Sequence, residues 1–186
     1  MADRLELAPE GLTDGQVRVR HLHEGDAQAY AGGAFDMIGV WLGRPSLEAY
    51  TSEEVRAEIR TTIADGLRDD TFAVLAIADA ADDRFLGSIV LFDLDWATGS
   101  GTVGFWVSSA ERGAGVAGRA LDLVCDWCFG ELGLGVLYAL AEPGDRTSRQ
   151  VLEQAGFRRA SGFRPAGAPT GNGGPTVVLF RRRAVG

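Results

Sequence analysis

Apolar and polar side chains alternate along Gln16–His21 (QVRVRH), the two-residue period of a half-buried strand. From Glu24 to Asp36 the pattern is that of a short helix, and a break follows around Gly43, Arg44 and Pro45. Thr51 stands three residues before Glu54, a capping box that opens a second helix. Val55, Ile59, Ile63 and Leu67 follow at four-residue steps and form one apolar stripe. The period then changes. Thr71–Ala78 (TFAVLAIA) predicts a buried strand, Asp79–Arg84 a polar turn and Phe85–Trp96 a long strand. After the turn ATGSG, Thr102–Val107 (TVGFWV) predicts a fourth strand. Short turns between these three strands imply an antiparallel meander.

The second half opens with a glycine-rich stretch, ERGAGVAG, and continues as a helix to about Leu132. Ala117, Leu121, Val124, Cys128 and Leu132 form its apolar face, and Gly133 is a candidate C-cap. Val136–Ala141 (VLYALA) predicts a strand. Thr147 and Gln150 have the spacing of a capping box for another helix, with Val151, Leu152 and Ala155 inward and Gly156 at its end. The last strands fall near Phe157–Phe163 and Thr176–Arg182, separated by the Gly/Pro-rich Pro165–Pro175, which predicts a mobile loop. The order is β-α-α-β-β-β-α-β-α-β-β, an α/β chain with a mixed sheet. It reads as one domain over residues 1–186, with 1–15 as an N-terminal extension.

Composition narrows the function. The net charge of −8 argues against nucleic acid as a partner, since phosphate contacts need a basic face. It is compatible with a cationic acceptor such as an amine. No apolar run approaches the ~20 residues of a membrane helix, and the N-terminus lacks a secretory pattern, so a cytoplasmic protein with no membrane partner is expected. All 18 basic residues are arginine. Cys125 and Cys128 lie within a helical pattern and have no second pair to complete a zinc site. They are read as small buried side chains, and no metal is expected.

Two segments carry a resemblance. Val103–Leu121 (VGFWVSSAERGAGVAGRAL) resembles the acetyl-CoA motif R/Q-x-x-G-x-G/A of the GNAT superfamily, matched by Arg112, Gly115 and Ala117. Pro143–Phe157 (PGDRTSRQVLEQAGF) is similar to the pattern P-x-N-x-x-S-x-x-V-x-E-x-x-GF of the branch that includes the ribosomal-protein N-terminal acetyltransferases. Trp41-Leu42 followed by a capped helix also looks like that branch. The resemblance implies a mostly antiparallel mixed sheet of about seven strands flanked by about four helices, splayed between strands 4 and 5. It implies acetyl-CoA, or another acyl-CoA, as co-substrate. The phosphates would meet Arg112, Gly113, Ala114, Gly115, Val116 and Ala117, where a helix N-terminus offers unpaired N–H groups and a positive dipole end. The pantetheine arm would lie along Phe105, Trp106 and Val107, with Trp106 and Val107 assigned the backbone contacts. Asp145 and Ser148 complete the cofactor-binding set, and Ser148 matches the family serine near the leaving sulfur, where its hydroxyl would donate to the thiolate; it also fits N-terminal capping of the following helix, and the two roles can coexist. A nucleotide P-loop is excluded, because its Lys and Ser/Thr are missing.

Two positions depart from the family pattern. Asp145 replaces an asparagine, so an ionised carboxylate stands where an amide could donate. Thr102 stands near the place of a glutamate that relatives often use as base or water anchor. Substitute bases are Asp93 and Asp95, which strand alternation puts on one face, and Glu142 after the fifth strand. Each also fits an exposed strand end or loop carboxylate. His21 and His23 lie where the first strand meets the first helix, a wall of the acceptor pocket in this fold, and also read as surface histidines. The leading functional reading is acetyl transfer to a primary amine, a protein N-terminus or a small molecule, by direct attack on the thioester. The alternatives are transfer of succinyl or another acyl group, and a non-catalytic acyl-CoA-binding sensor. Similar proteins are often homodimers.

Overall fold

The computed structural model describes residues 4–33, 50–160 and 178–184. Pro165–Pro175, Trp41-Leu42, the break at Gly43–Pro45 and parts of three expected elements, Glu24–Asp36, Phe157–Phe163 and Thr176–Arg182, lie outside those residues. The strands are β1 (Leu12–Thr13), β2 (Val17–His21), β3 (Ala73–Asp79), β4 (Phe85–Asp95), β5 (Ser100–Val107), β6 (Val136–Ala141), β7 (Arg158–Arg159) and β8 (Val178–Arg183). The helices are α1 (Ala27–Gly33), α2, α3 (Val116–Gly130) and α4 (Arg146–Gln154). α2 starts as Ser52–Glu58, widens into a π turn at Ile59–Ile63 and resumes as Ala64–Arg68. One sheet joins all eight strands in the order β1-β2-β3-β4-β5-β6-β8-β7. Every pairing is antiparallel except β5 with β6.

Strand alternation divides the apolar residues between two cores. On one face, Leu75, Ile77, Ile89, Leu91, Val103 and Leu137 pack against α3 and α4 through Leu121, Val124 and Leu152. On the other, Val74, Ala76 and Val90 pack against α1 and α2 through Tyr30, Val55 and Ile63. The stripe Val55, Ile59, Ile63 and Leu67 enters this second core as its spacing requires. The capping box also forms: Thr51 Oγ1 accepts from Glu54 N–H at 3.2 Å, and Glu54 Oε2 accepts from Thr51 N–H at 2.8 Å. Cys125 and Cys128 face the first core as free thiols. Burial pushes the Cys125 thiol up to about 12, so it stays protonated and unreactive.

Three features differ from the sequence pattern. The N-terminal segment is part of the core: Leu5 and Leu7 are buried, β1 extends the sheet, and Leu7 N–H donates to His21 Nε2 at 2.9 Å. That bond requires the neutral His21 ring, and burial lowers its pKa accordingly. The first helix opens as a 3₁₀ turn, Glu24–Asp26, before α1. A β-bulge interrupts β4 between Phe92 and Asp95, and Asp93 adopts a positive φ of 50° there. The bulge ends the alternation that would have put Asp93 and Asp95 on one face. Among the described residues no helix is long and apolar enough to cross a membrane.

Arg20 ties this frame together. Its guanidinium reaches Asp26 at 2.7 Å and Asp83 at 3.0 Å, joining β2 to the 3₁₀ turn and to the β3–β4 turn. Asp26 is 4% exposed. Arg20→Ala leaves that carboxylate buried without its cation and is expected to cost roughly 3–5 kcal/mol in urea unfolding. A loss below about 1 kcal/mol, the size of a surface pair, would contradict this role.

Candidate functional site

β5 and β6 run in parallel from Ser100 and Val136, and their pairing stops at Val103 and Ala139. Both strands continue. β5 stays paired with β4 as far as Val107, and β6 stays paired with β8 as far as Ala141. A gap therefore opens between two strands that each have one satisfied side. The direction of the free groups follows from one hydrogen bond, Ser108 N–H to the Leu86 carbonyl at 2.8 Å. Backbone groups of alternate residues point to the same neighbour. Trp106 and Gly104 thus turn their backbone to β4, while Phe105 and Val107 present N–H and C=O to the gap. Gly87 agrees: a Cβ there would collide with the Trp106 carbonyl. The Trp106 ring lies in the second core, edge-on to Tyr30 at 5.5 Å. Of the two residues assigned backbone contacts, Val107 therefore faces the gap and Trp106 does not; Phe105 joins it.

The gap leads to an open helix terminus. α3 has Gly115 at its N-cap, in the left-handed conformation with φ 78°, and no side chain caps it. Gly113 has φ 83°. Both conformations strain any residue with a Cβ, although there is open space around each position. The first intrahelical bond in this turn is Arg119 N–H to the Gly115 carbonyl at 3.1 Å. The N–H groups of Val116, Ala117 and Gly118 precede it and have no helical partner. Two ion pairs fix the loop from outside. Glu111 meets Arg84 at 2.7 Å and Arg119 meets Asp14 at 2.8 Å.

A cleft of about 830 Å³ joins the gap and the helix terminus. Of the expected residues, Phe105, Trp106, Val107, Arg112, Gly113, Gly115, Val116, Ala117, Glu142, Asp145 and Ser148 line it; Ala114, Asp93 and Asp95 do not. Asp95 is exposed and caps its own turn, accepting from Ala97 and Thr98 N–H at 2.9 and 3.1 Å. The Thr98 backbone N–H and hydroxyl, followed by the Ala97 N–H, hold its carboxyl below the usual range, which weakens it as a base. Glu142 is exposed at the end of β6. Thr102 is 2% exposed, in register with Phe92 and Tyr138.

α4 starts two residues earlier than Thr147 suggested. Asp145 is its N-cap and accepts from Ser148 N–H at 2.9 Å. The carboxylate three residues before Ser148 is placed to reach that N–H, so Thr147 and Ser148 fall inside the first turn. Arg149 Nη1 donates to the Pro143 carbonyl at 2.9 Å and steadies the preceding turn. Ser148 lines the cleft, and its hydroxyl makes no hydrogen bond with the described residues. The sequence reading missed Glu111, Phe92 and Leu140, which also line the cleft. The flanking motif letters gave no sign of Glu111, but its place just before Arg112 did. Phe92 and Leu140 are the apolar residues where the strands part. Among the described residues, no three His, Cys, Asp or Glu side chains gather as a metal site would require.

Comparison with known proteins agrees with this architecture. The acetyltransferase (GNAT) domain model matches residues 16–158. YjcK of Bacillus subtilis (strain 168), described as a probable N-acetyltransferase, is 34% identical over 111 residues, 59% of this chain and 61% of that protein. The match thus spans less than two thirds of that relative's length. Among solved structures, a ribosomal-protein-S5-alanine acetyltransferase from Vibrio fischeri superposes with a TM-score of 0.69 at 18% identity, covering 90% of this chain and 93% of that one. A spermidine N-acetyltransferase from Vibrio cholerae, in complex with CoA and spermine, gives 0.70 at 15% identity, with 91% and 96% covered. At such identities the likeness is one of fold. With the family model matching most of its length and the splayed sheet in place, the chain belongs to the GNAT acetyltransferase domain family.

Proposed function

We propose that this chain transfers an acyl group, most simply acetyl, from acyl-CoA to a primary amine. The observation that carries the reading is the parting of β5 and β6 after Val103 and Ala139, in line with an uncapped helix N-terminus. A pyrophosphate suits the free N–H groups of Val116, Ala117 and Gly118, where the helix dipole favours negative charge. An extended amide-bearing arm suits the unpaired edge of β5, where Phe105 and Val107 offer strand-type hydrogen bonds. The thioester then falls where the strands part. A backbone N–H from this edge polarises its carbonyl and stabilises the oxyanion that forms on attack.

The amine nitrogen attacks the thioester carbon, the C–S bond breaks, and the sulfur leaves as thiolate. The nitrogen loses a proton and the thiolate gains hydrogen-bond donation or a proton. The Ser148 hydroxyl, without a hydrogen bond among the described residues and carried by a residue of the cleft wall, is assigned to the sulfur. Glu142 is the cleft carboxylate available to water or to the incoming amine. Asp93 and Asp95 lie off the lining, and Thr102 has no charge to offer. Solvent as final proton acceptor is consistent with this set. The acceptor classes are those that the relatives' descriptions suggest, a protein N-terminus or a small polyamine-like molecule.

Two variants test the assignments. Gly115→Val puts a β-branched residue at a positive φ and blocks the approach to the helix terminus. It is expected to weaken acyl-CoA binding about tenfold or more, as read by titration calorimetry, while the fold persists. Ser148→Ala is expected to lower kcat by about 10- to 100-fold in a thiol-release assay with acetyl-CoA and an accepted amine, with little change in acyl-CoA affinity. Unchanged kcat in Ser148→Ala would remove the serine from the chemistry. Wild-type protein that binds acetyl-CoA yet acylates no amine would support the sensor alternative instead.

A further inference from the structure

Eight arginines among the described residues, Arg4, Arg112, Arg146, Arg149, Arg158, Arg159, Arg181 and Arg183, have no carboxylate within 4.0 Å, and four of these lie on β7 and β8. Arg20, Arg60, Arg84, Arg119 and Arg182 each have a carboxylate within 3.0 Å. Among the described residues, Arg158, Arg181 and Arg183 have none within 4.0 Å, in a chain with 26 acidic and 18 basic residues. Arg158 Nη1 donates instead to the carbonyls of Glu153 and Phe157. Arg158 is directly opposite Arg181. Like charges in that relation repel; the two carbonyls partly compensate Arg158, and no described carboxylate meets Arg181.

Alternation places these side chains relative to the cleft. Phe180 is buried in the first core and Arg182 pairs with Asp122 of α3, so Arg181 and Arg183 turn to the opposite face. β6 follows the same rule: Leu137, Ala139 and Ala141 are buried, while Val136, Tyr138 and Leu140 are half-buried on the other side. The registers set Phe92, Thr102, Tyr138, Arg181 and Arg158 in one row across β4, β5, β6, β8 and β7. Phe92 lines the cleft at one end of this row, and Leu140 lines it one step further along β6. Arg181 lies one strand across from β6 and two residues along from the Leu140 pairing. Strand geometry makes that about 8 Å between Cα atoms. Arg181 is half-buried and Arg183 exposed.

We propose that the acceptor amine carries an anionic group, a carboxylate or a phosphate, roughly 8–12 Å from its reacting nitrogen, and that Arg181 and Arg183 bind that group. The inference rests on the acyl-transfer reading above and narrows its acceptor. Guanidinium forks match both anions bidentately, and the unbalanced charge of the row is what an anion would neutralise. The same field disfavours a polycationic amine. Arg158 contributes field from the neighbouring strand.

The test is a matched acceptor panel with acetyl-CoA as donor: C-terminally amidated Ser-Glu against C-terminally amidated Ser-Gln for a carboxylate, and glucosamine 6-phosphate against glucosamine for a phosphate. The expected result is kcat/KM at least about tenfold higher for the anionic member of one pair, and which pair responds identifies the anion. In Arg181→Gln/Arg183→Gln this preference falls to within about twofold, the loss appearing in KM rather than kcat. Arg181→Lys/Arg183→Lys recovers part of it, since charge is kept and the fork lost. Retained melting shifts with acetyl-CoA show that the variants are folded. Equal or better turnover of the neutral members, or an undiminished preference in the double Gln variant, overturns the inference and leaves acyl transfer standing. Wild-type protein that binds acetyl-CoA but acylates no anionic acceptor also overturns it. Absence of acetyl-CoA binding overturns the reading beneath it.

Discussion

The parting of two parallel strands governs this structure. β5 and β6 share four residue pairs and then diverge, each still held by its outer neighbour. Separating strands leaves backbone donors and acceptors without partners, and an unpaired peptide group away from water is costly. A ligand with its own amides relieves that cost, as water does in its absence. The fold keeps the strands apart because β4 pairs with β5 without interruption from Thr102 to Val107 and β8 holds all six residues of β6. Cores on both faces then fix the sheet from which the cleft opens.

The other site features follow from where the chain goes after the split. The residues that leave β5 turn through two glycines into α3, so the helix N-terminus lies at the mouth of the gap. The residues that leave β6 turn through Glu142–Asp145 into α4, which brings Ser148 to the opposite wall. Asp145 shows how a departure from the family pattern is absorbed. A carboxylate in place of the amide still caps α4, because capping needs only an acceptor and a helix N-terminus favours negative charge. The ion pairs Arg84–Glu111 and Arg119–Asp14 hold the loop to distant turns, so its geometry depends on the whole sheet.

Much of this was legible in the sequence where local periodicity and tertiary packing agree. β6 has the bounds its apolar run indicates, and the Thr51 capping box opens α2 as its spacing requires. Three features were not legible. Leu5 and Leu7 precede Pro9 and Gly11, too short a stretch to show a period, yet both reach the core because β1 pairs with β2. The bulge at Asp93 depends on one backbone angle that residue type does not announce. The spacing of Thr147 and Gln150 put the cap of α4 at Thr147, and the turn before the helix moves it to Asp145. At the site, the glycine pattern marked the helix terminus, but which β5 residues face the gap depends on parity, fixed by the Ser108 bond to Leu86. The arginine row needs registers across five strands, which one sequence does not supply.

The central claim is that the gap and the open helix end form one acyl-CoA site. Thermal unfolding of the purified chain, freed of copurified CoA, measures this most directly when titrated with acetyl-CoA, succinyl-CoA and free CoA. At about 100 times its Kd a ligand stabilises the folded state by about 2.7 kcal/mol, a clear rise in Tm. The account predicts such a rise with an acyl-CoA and its loss in Gly115→Val. Folded protein whose Tm is unmoved by every one of these ligands would contradict it.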